Sequence, residues 1–594
     1  VLSEQDEEQL EAERLGREFR EMLAQEAAQS QMTEENTLVK DPYVSKEPMT
    51  GAEELIKNGG FEDGLENWDI FKDQFAPYSS LAEGEGRGGT NALKFTATAQ
   101  QELVNALRHQ VVEPVPGAEY QISYWYKVTK GANVEPVVKL EFHGEVINDI
   151  LTGYSEGWPY PENKEYHRDG EWHQVVYRVR VPDYTTQIHV YPRIMRNVQE
   201  DQEIYLDDIS LYMTAAPTVM TLLTDNGFYY EGTENAVFSG KVDTNYFPEY
   251  ANADVKFELY DGQNLIWNTD GVKLTDGFVS VNCSLLGMEN DKPYCVKATL
   301  YDANHQEAAV KTTNIYVYPR PEYLSENGIF MQNGKDAFSP VLAYHVSKKD
   351  YKKVAAAGIN VVQMFNGDTF STFPTAEAAL EYLDAAQEAG IMGFIPLYNG
   401  GNPAGHDSNI ERTIRVLKDE RVINHPALFG FGICDEPYLR KAKQSDLENS
   451  YRLIRQFDTK HPIMMVVAFA GSYAKGSNLV DILEIDPYGT AESGRAYVDT
   501  KNAFEASGCK KPVYTLLGTY RYDSGRIPSK EEVRNNNWQA LIGGAKAIGY
   551  YSIRDAEKDE EGNYTVPIWD AKDGGAMWNA ITEWGTNEKA LAYD

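Results

Sequence analysis

The 594-residue chain has only four cysteines, too few to staple a protein of this size, which excludes a disulfide-dense scaffold. Cys283 and Cys295 lie in neighbouring strand-like segments where a bridge is possible, while Cys434 and Cys509 read as buried thiols. No Cys/His cluster has the spacing of a zinc site, and neither common phosphate-cradling glycine loop occurs. No apolar run is long enough to span a membrane. No signal-peptide pattern opens the chain, so its start reads as mature or trimmed. Positive charge is scarce as well: 55 Lys and Arg against 91 Asp and Glu leave a net charge of −36 and a pI near 4.7. A chain this acidic repels polyanions at long range, which argues against nucleic acid and acidic glycans as partners and favours neutral ligands.

The chain is too long for one hydrophobic core, so several domains are expected. Residues 1–50 hold an amphipathic helix and a polar linker. Within residues 3–31, Leu10, Leu15, Phe19, Met22, Leu23 and Ala27 recur at helical spacing between charged residues, and such a stripe needs a partner. Either a later domain or a second copy of the chain fits, the latter giving helix-mediated self-association. Residues 51–215 change to short alternating strands separated by Gly, Asn and Pro turns, such as Tyr120–Tyr126, Trp172–Arg180 and Ile204–Tyr212; this pattern predicts a jelly-roll β-sandwich. Residues 216–320 again read as short strands, of a length that suits an immunoglobulin-like spacer.

From 321 to 594, strands and helices alternate. Eight strand-like runs are Val341–His345, Val361–Phe365, Gly393–Tyr398, Leu428–Cys434, Ile463–Ala468, Ile482–Tyr488, Val513–Leu517 and Ile548–Ile553. Helical stretches lie between most of them, which predicts a (β/α)8 TIM barrel in preference to a doubly wound sheet with its nucleotide fingerprint. In such a barrel, chemistry sits where strands end. The strand ends here carry Tyr344 and His345; Gln363 and Asn366; Tyr398 and Asn399; Asp435 and Glu436; Glu484, Asp486 and Tyr488; Tyr520 and Arg521; and Tyr551, Arg554 and Asp555. Strand alternation puts Glu484 and Asp486 on one face, and Cys434 and Glu436 on one face. Each group alone suits a cap or an ion pair. Together they suit a neutral sugar, with carboxyls for protons, amides for hydroxyls and aromatic faces for pyranose rings.

The most informative run is Phe431-Gly-Ile-Cys-Asp-Glu-Pro437, an apolar strand ending in two acids and a proline. Asp435-Glu436-Pro437 resembles the Asn-Glu-Pro that ends the fourth strand in the large clan of retaining glycoside hydrolases with (β/α)8 folds, with Asp in place of Asn. The resemblance covers about 260 residues, the usual size of one barrel, and includes Asn333–Pro340 and Ala355–Val361 as the entry to the barrel. It implies a glycosidase with Glu436 as acid/base. The clan's seventh strand ends in a nucleophilic Glu after a Pro-Val start, whereas this chain reads Pro512-Val-Tyr-Thr-Leu-Leu517, and leucine cannot attack an anomeric carbon. Three outcomes follow: inversion with Glu436 as acid and Asp486 or Glu484 as base; retention with a nucleophile from elsewhere; or a non-catalytic, glycan-binding or surface-assembly barrel. Inversion with Asp486 is the expectation, and Glu484 is expected one layer deeper, paired with a cation.

Leu55–Asp63, Trp68 and Ile204–Ile209 resemble the two ends of jelly-roll carbohydrate-binding modules of bacterial polysaccharidases. That likeness implies a structural Ca²⁺ held by Glu62 and Asp207, oxygen donors that suit a hard cation, with no cofactor for catalysis. Trp125, Tyr126, Trp158, Tyr160 and Trp172 are candidates for sugar stacking. The whole reads as a bacterial-type, secreted or cell-surface multidomain hydrolase.

Overall fold

The computed structural model describes residues 4–32, 39–70, 77–97, 108–130, 134–147, 150–151, 154–195, 202–325, 328–332, 335–338, 340–365, 372–398, 401–438, 442–468, 470–488, 494–520, 527–554, 557–558, 564–572 and 574–589. The chain divides into two compact units, Glu34–Val219 and Val1–Thr33 with Met220–Asp594.

The smaller unit has two five-stranded antiparallel sheets. One runs in the order Asp69–Ile70, Arg108–Val112, Gln187–Met195, Glu135–His143, Tyr154–Gly157; the other runs Trp172–Arg180, Glu119–Val128, Gln202–Ala215, Ala92–Ala97, Ser79–Ala82. Because side chains alternate along a strand, each sheet offers one apolar face. A single core takes Phe95, Tyr124 and Leu206 from one sheet and Val138, Leu140 and Ile188 from the other. Residues 40–50, expected within a linker, belong to this unit. The buried Arg178 guanidinium donates to the carbonyls of Lys40, Asp41 and Val44 and meets Glu119 at 2.7 Å.

In the larger unit, residues 221–318 form a three-stranded sheet (Thr221–Thr224, Asn235–Lys241, Phe278–Ser284) and a second sheet centred on Glu307–Tyr318, Tyr294–Tyr301 and Asp254–Asp261. Cys283 and Cys295 fall on different sheets and both are free and buried, so the bridge is not made. Cys434 is buried as expected, whereas Cys509 is exposed, at a left-handed turn (φ 56°) just past a helix end.

The rest is a closed parallel barrel of β1 (Val341–Ala343), β2 (Val361–Gln363), β3 (Met392–Pro396), β4 (Leu428–Asp435), β5 (Ile463–Val467), β6 (Ile482–Ile485), β7 (Val513–Gly518) and β8 (Ala547–Tyr551). The helices are α1 (Glu4–Gln29), then α2 (Tyr351–Ala356), α3 (Ala376–Glu388), α4 (Asp407–Leu417), α5 (Glu420–Ile423), α6 (Gln444–Arg455), α7 (Tyr473–Ser477), α8 (Arg495–Ala506), α9 (Lys530–Ile542) and α10 (Gly574–Glu583). The helical stretch expected over Ile410–Ile423 breaks into two because the Asp419 side chain caps a new start by accepting from the Arg421 amide. Inward positions Leu342, Phe394, Phe429, Met464, Ile482 and Leu516 fill the barrel, and alternate residues such as Val341, Ile395, Met465, Leu483 and Leu517 pack in the core they share with the helices.

The apolar stripe of α1 finds its partner in this same unit. Ala12 and Phe19 are buried against Ile410 and Ile414 of α4 and Leu453 of α6, and Arg452 holds Glu26 with two bonds of 2.6 and 2.9 Å. Of the two partners expected for the stripe, the later domain is the one seen here, with Leu10 left exposed. The 221–318 sheets dock on the barrel through a buried polar knot. Asp481 accepts from the hydroxyls of Tyr230 and Tyr451, both at 2.8 Å, from the Ile463 amide at 2.8 Å, and from Arg455.

Candidate active site

The acid groups at the barrel mouth arrive by different backbone routes. On β6 the period of two holds: Ile482 lies in the barrel interior, and Glu484 and Asp486 follow it on the same inward side, 2% and 6% exposed. On β4 it does not. The pairing with β5 skips a residue between Gly432 and Asp435, a bulge that re-aims the strand end. Cys434 joins the outer core instead of sharing a face with Glu436. Glu436 then adopts a left-handed backbone, φ 47°, uncommon for a residue with a side chain, and its amide donates to the Val466 carbonyl at 3.0 Å. Bulge and turn together bring two successive carboxyls, Asp435 and Glu436, into the electrostatic reach of β6.

The resulting cluster is tight. Asp486 is buried beside Glu436 and Asp435, and burial together with their charges drives its carboxyl well above the ordinary range. Glu484 sits one layer deeper, as expected, but its partner is the Tyr344 hydroxyl at 2.6 Å and not a cation. Burial raises Glu484 to about 7, the Tyr344 bond opposes this, and Asp435 adds to it.

Tyrosines ring the acids. Tyr488, Tyr520 and Tyr551 touch one another with centroids 5.4–6.1 Å apart, and Tyr551 also meets His345 at 4.9 Å. Tyr398 is half-buried and accepts from Gln363 Nε2 at 2.9 Å; its hydroxyl is pushed up by desolvation, then by Asp435 and Glu484. Arg554 lies near Asp350, in the turn that leads into α2. Asn366, Asn399, Arg521 and Asp555 lie outside the described residues. Leu517 faces the helix layer, so the strand-7 position matched to a nucleophile does not look into the mouth, and its neighbour Gly518 has no side chain to offer.

Two groups were missed by sequence reasoning. Tyr473 opens the short helix α7, fully buried near Asp486 and Asp499, and its hydroxyl has no partner among the described residues. Arg495 opens α8, donates to the Tyr488 carbonyl at 2.9 Å and pairs with Asp499 at 2.9 Å, and its charge favours the ionised form of Asp486. Neither lies on a strand end. The only signal for Arg495 was the Gly494 before it, which takes φ 63° and starts the helix.

In the smaller unit, Glu62 and Asp207 reach the same loop. Glu62 accepts from the Asn91 amide at 2.8 Å, while Asp207 accepts from Arg87 and Asp208 amides at 2.8 and 2.7 Å. Asp207 is fully buried, and burial pushes its carboxyl up to about 6. Two carboxylates around one loop, one of them buried without a cationic side chain on it, fit a hard-cation site. Among the stacking candidates, Tyr126 is buried in the core. Trp125 lies under Arg87 at 4.5 Å and Trp172 under Lys127 at 4.9 Å. Trp158 and Tyr160 stack at 5.9 Å beside Lys139 and Arg193, on a polar sheet face where Lys139 bonds Glu141 and Glu156, both at 2.6 Å.

No protein-family model and no curated protein matches this sequence. Similar solved structures include a β-D-glucuronidase from Dictyoglomus thermophilum (11% identity over 86% of this chain and 96% of that one, TM-score 0.32). A β-glucuronidase from uncultured Clostridium sp. is 15% identical over 92% and 100%, TM-score 0.31. The N-terminal endo-1,4-β-D-xylanase 10B of Clostridium thermocellum is 11% identical over 89% and 97%, TM-score 0.30. Likeness of this degree carries no argument about chemistry, which rests on the geometry above.

Proposed function

We propose that this chain is a glycoside hydrolase acting on a neutral carbohydrate, with Glu436 as the proton donor. The observation that carries this is the cluster of Glu436, Asp435 and buried Asp486 carboxyls at the mouth of the barrel, ringed by tyrosines. Neighbouring buried carboxyls resist ionising together. With substrate bound, Glu436 protonates the departing glycosidic oxygen, and Asp486, as the carboxylate, takes a proton from the attacking water. The product then has inverted configuration. Asp435 adds negative charge beside the oxocarbenium-like transition state, and Tyr488, Tyr520 and Tyr551 supply faces for the sugar ring. The jelly-roll unit, with Glu62 and Asp207 around a structural Ca²⁺, would bind the polymer. Polymeric glycans are met outside the cell or at its surface, the setting this reading assigns.

Incubation with a panel of neutral polysaccharides, with the anomer first released followed by proton NMR, tests the proposal. Wild type should release sugar with inverted configuration, and Glu436→Gln should be at least about a hundredfold slower, the usual worth of general acid catalysis, with an unchanged melting temperature. Retained configuration would exclude Asp486 as the base. Binding without hydrolysis across the panel would mean a glycan-binding barrel.

A further inference from the structure

One cluster in the smaller unit is unrelated to the barrel chemistry and to the Glu62–Asp207 loop. The segment Tyr166-His-Arg-Asp-Gly-Glu-Trp-His173 turns back on itself just before and into the strand Trp172–Arg180. The turn is pinned at both ends. The Tyr126 hydroxyl, on the paired strand directly across from His173, accepts from the His167 amide at 3.0 Å. Asp169 Oδ1 accepts from the Glu171 amide at 2.9 Å while Gly170 takes the left-handed conformation, φ 85°, which closes the loop with its carboxylate pointing back along it.

The result brings three donors together. His173 Nε2 lies 3.0 and 3.1 Å from the two Asp169 oxygens. The rings of His167 and His173 are stacked, with centroids 4.3 Å apart and planes 16° from parallel. One ligand atom from each of the three residues lies within 4.8 Å of the other two. Donors around a tetrahedral ion stand roughly 3.4 Å apart, the chord subtended by bonds of 2.0–2.1 Å, so the three need to close by about an ångström. His167 and Asp169 are exposed and His173 half-buried, so small side-chain rotations suffice and the backbone can stay as it is.

We propose that His167, Asp169 and His173 bind a divalent transition-metal ion, with zinc the best fit. Two imidazoles and one carboxylate match the nitrogen and oxygen donors that zinc takes, whereas calcium and magnesium prefer all-oxygen sets. Three protein donors leave a fourth position open. It faces a pocket lined by both histidines, Tyr126, Glu162 and Glu165, where water or a ligand with an oxygen donor completes the shell. The sequence concealed this site because its pattern, His-x-Asp-x3-His, contains no cysteine and is assembled by a turn, not by a helix or a zinc-ribbon spacing.

Calorimetric titration of the full chain, without a histidine tag, tests the site. Zinc chloride should bind one ion per chain with micromolar affinity, and calcium chloride should not compete for it. His167→Ala and His173→Ala should each weaken zinc binding at least tenfold, and Asp169→Asn, whose amide oxygen can still close the turn, by several-fold. Melting curves of the metal-free variants should match wild type. Cobalt substitution gives a second readout: the visible band of a tetrahedral Co²⁺ site should appear in wild type and vanish in His173→Ala. No zinc binding, zinc binding unchanged in both histidine variants, or displacement of the zinc by equimolar calcium would each overturn the proposal. Glu62→Gln should leave the zinc isotherm unmoved, which separates this site from the hard-cation loop.

Discussion

At the scale of single residues, the acid cluster makes a thermodynamic statement as well as a chemical one. Glu484 has its carboxyl raised from 4.5 to about 7 by burial, so the folded state holds a proton that the unfolded chain releases. Its contribution is fully present below about pH 4.5 and is lost as pH climbs to about 7, at a cost on the order of 3 kcal/mol. Asp486 pulls in the same direction. Urea denaturation of wild type should show the barrel losing stability between pH 5 and 8, and Glu484→Gln should flatten most of that slope; an equal slope in the variant would place the titration elsewhere. Asp486→Asn removes one member of the carboxyl cluster. It should move the alkaline limb of kcat/KM towards the ordinary carboxyl range, a shift that a purely structural role would not produce. How much of this was legible differs residue by residue. Glu484 and Asp486 follow from a period of two on an unbroken strand. The approach of Asp435 and Glu436 to them does not, because a bulge and a positive φ at Glu436 break the period just where the chemistry lies. Tyr473 was invisible because its value comes from a neighbour thirteen positions on in sequence, across a turn of the barrel.

Among elements, α1 is the one whose role depends most on distant partners. Its amphipathic stripe was plain in the sequence; its seat was not, because Ile410, Ile414 and Leu453 lie roughly 400 residues downstream, and nothing local encodes a contact over that span. The eight barrel strands, by contrast, were readable to within three residues at either end, since each is a short apolar run bounded by polar loops. Phe19 is almost fully buried in the α1 seat. Phe19→Ala should cost about 3–5 kcal/mol of docking, seen as new protease cleavage within residues 4–29 before global unfolding, with catalysis little changed. Arg452→Met should have a related effect, as it leaves the half-buried Glu26 carboxylate without its guanidinium. If both variants resisted protease as wild type does, α1 would not owe its place to these contacts.

For the whole molecule, the two units should report separately on ligands. If Glu62 and Asp207 hold Ca²⁺, chelation should lower the melting transition of the Glu34–Val219 unit and leave the barrel's untouched. Asp207, raised to about 6, adds a pH signature: without metal this unit weakens as pH rises from about 4 to 6, and bound calcium, which needs the carboxylate, should remove that decline. An identical melting curve with and without chelator would count against the cation. The division of the chain into units has one more consequence, which belongs to its synthesis. α1 belongs with a segment that follows the whole Glu34–Val219 unit, which is spelled out in between. At 5–20 residues per second, roughly 20–80 s pass between the synthesis of α1 and that of its seat on α4 and α6. During that interval a nascent helix waits with Phe19 and its neighbours bare, a natural client for a chaperone that shields apolar helices until α6 has been made.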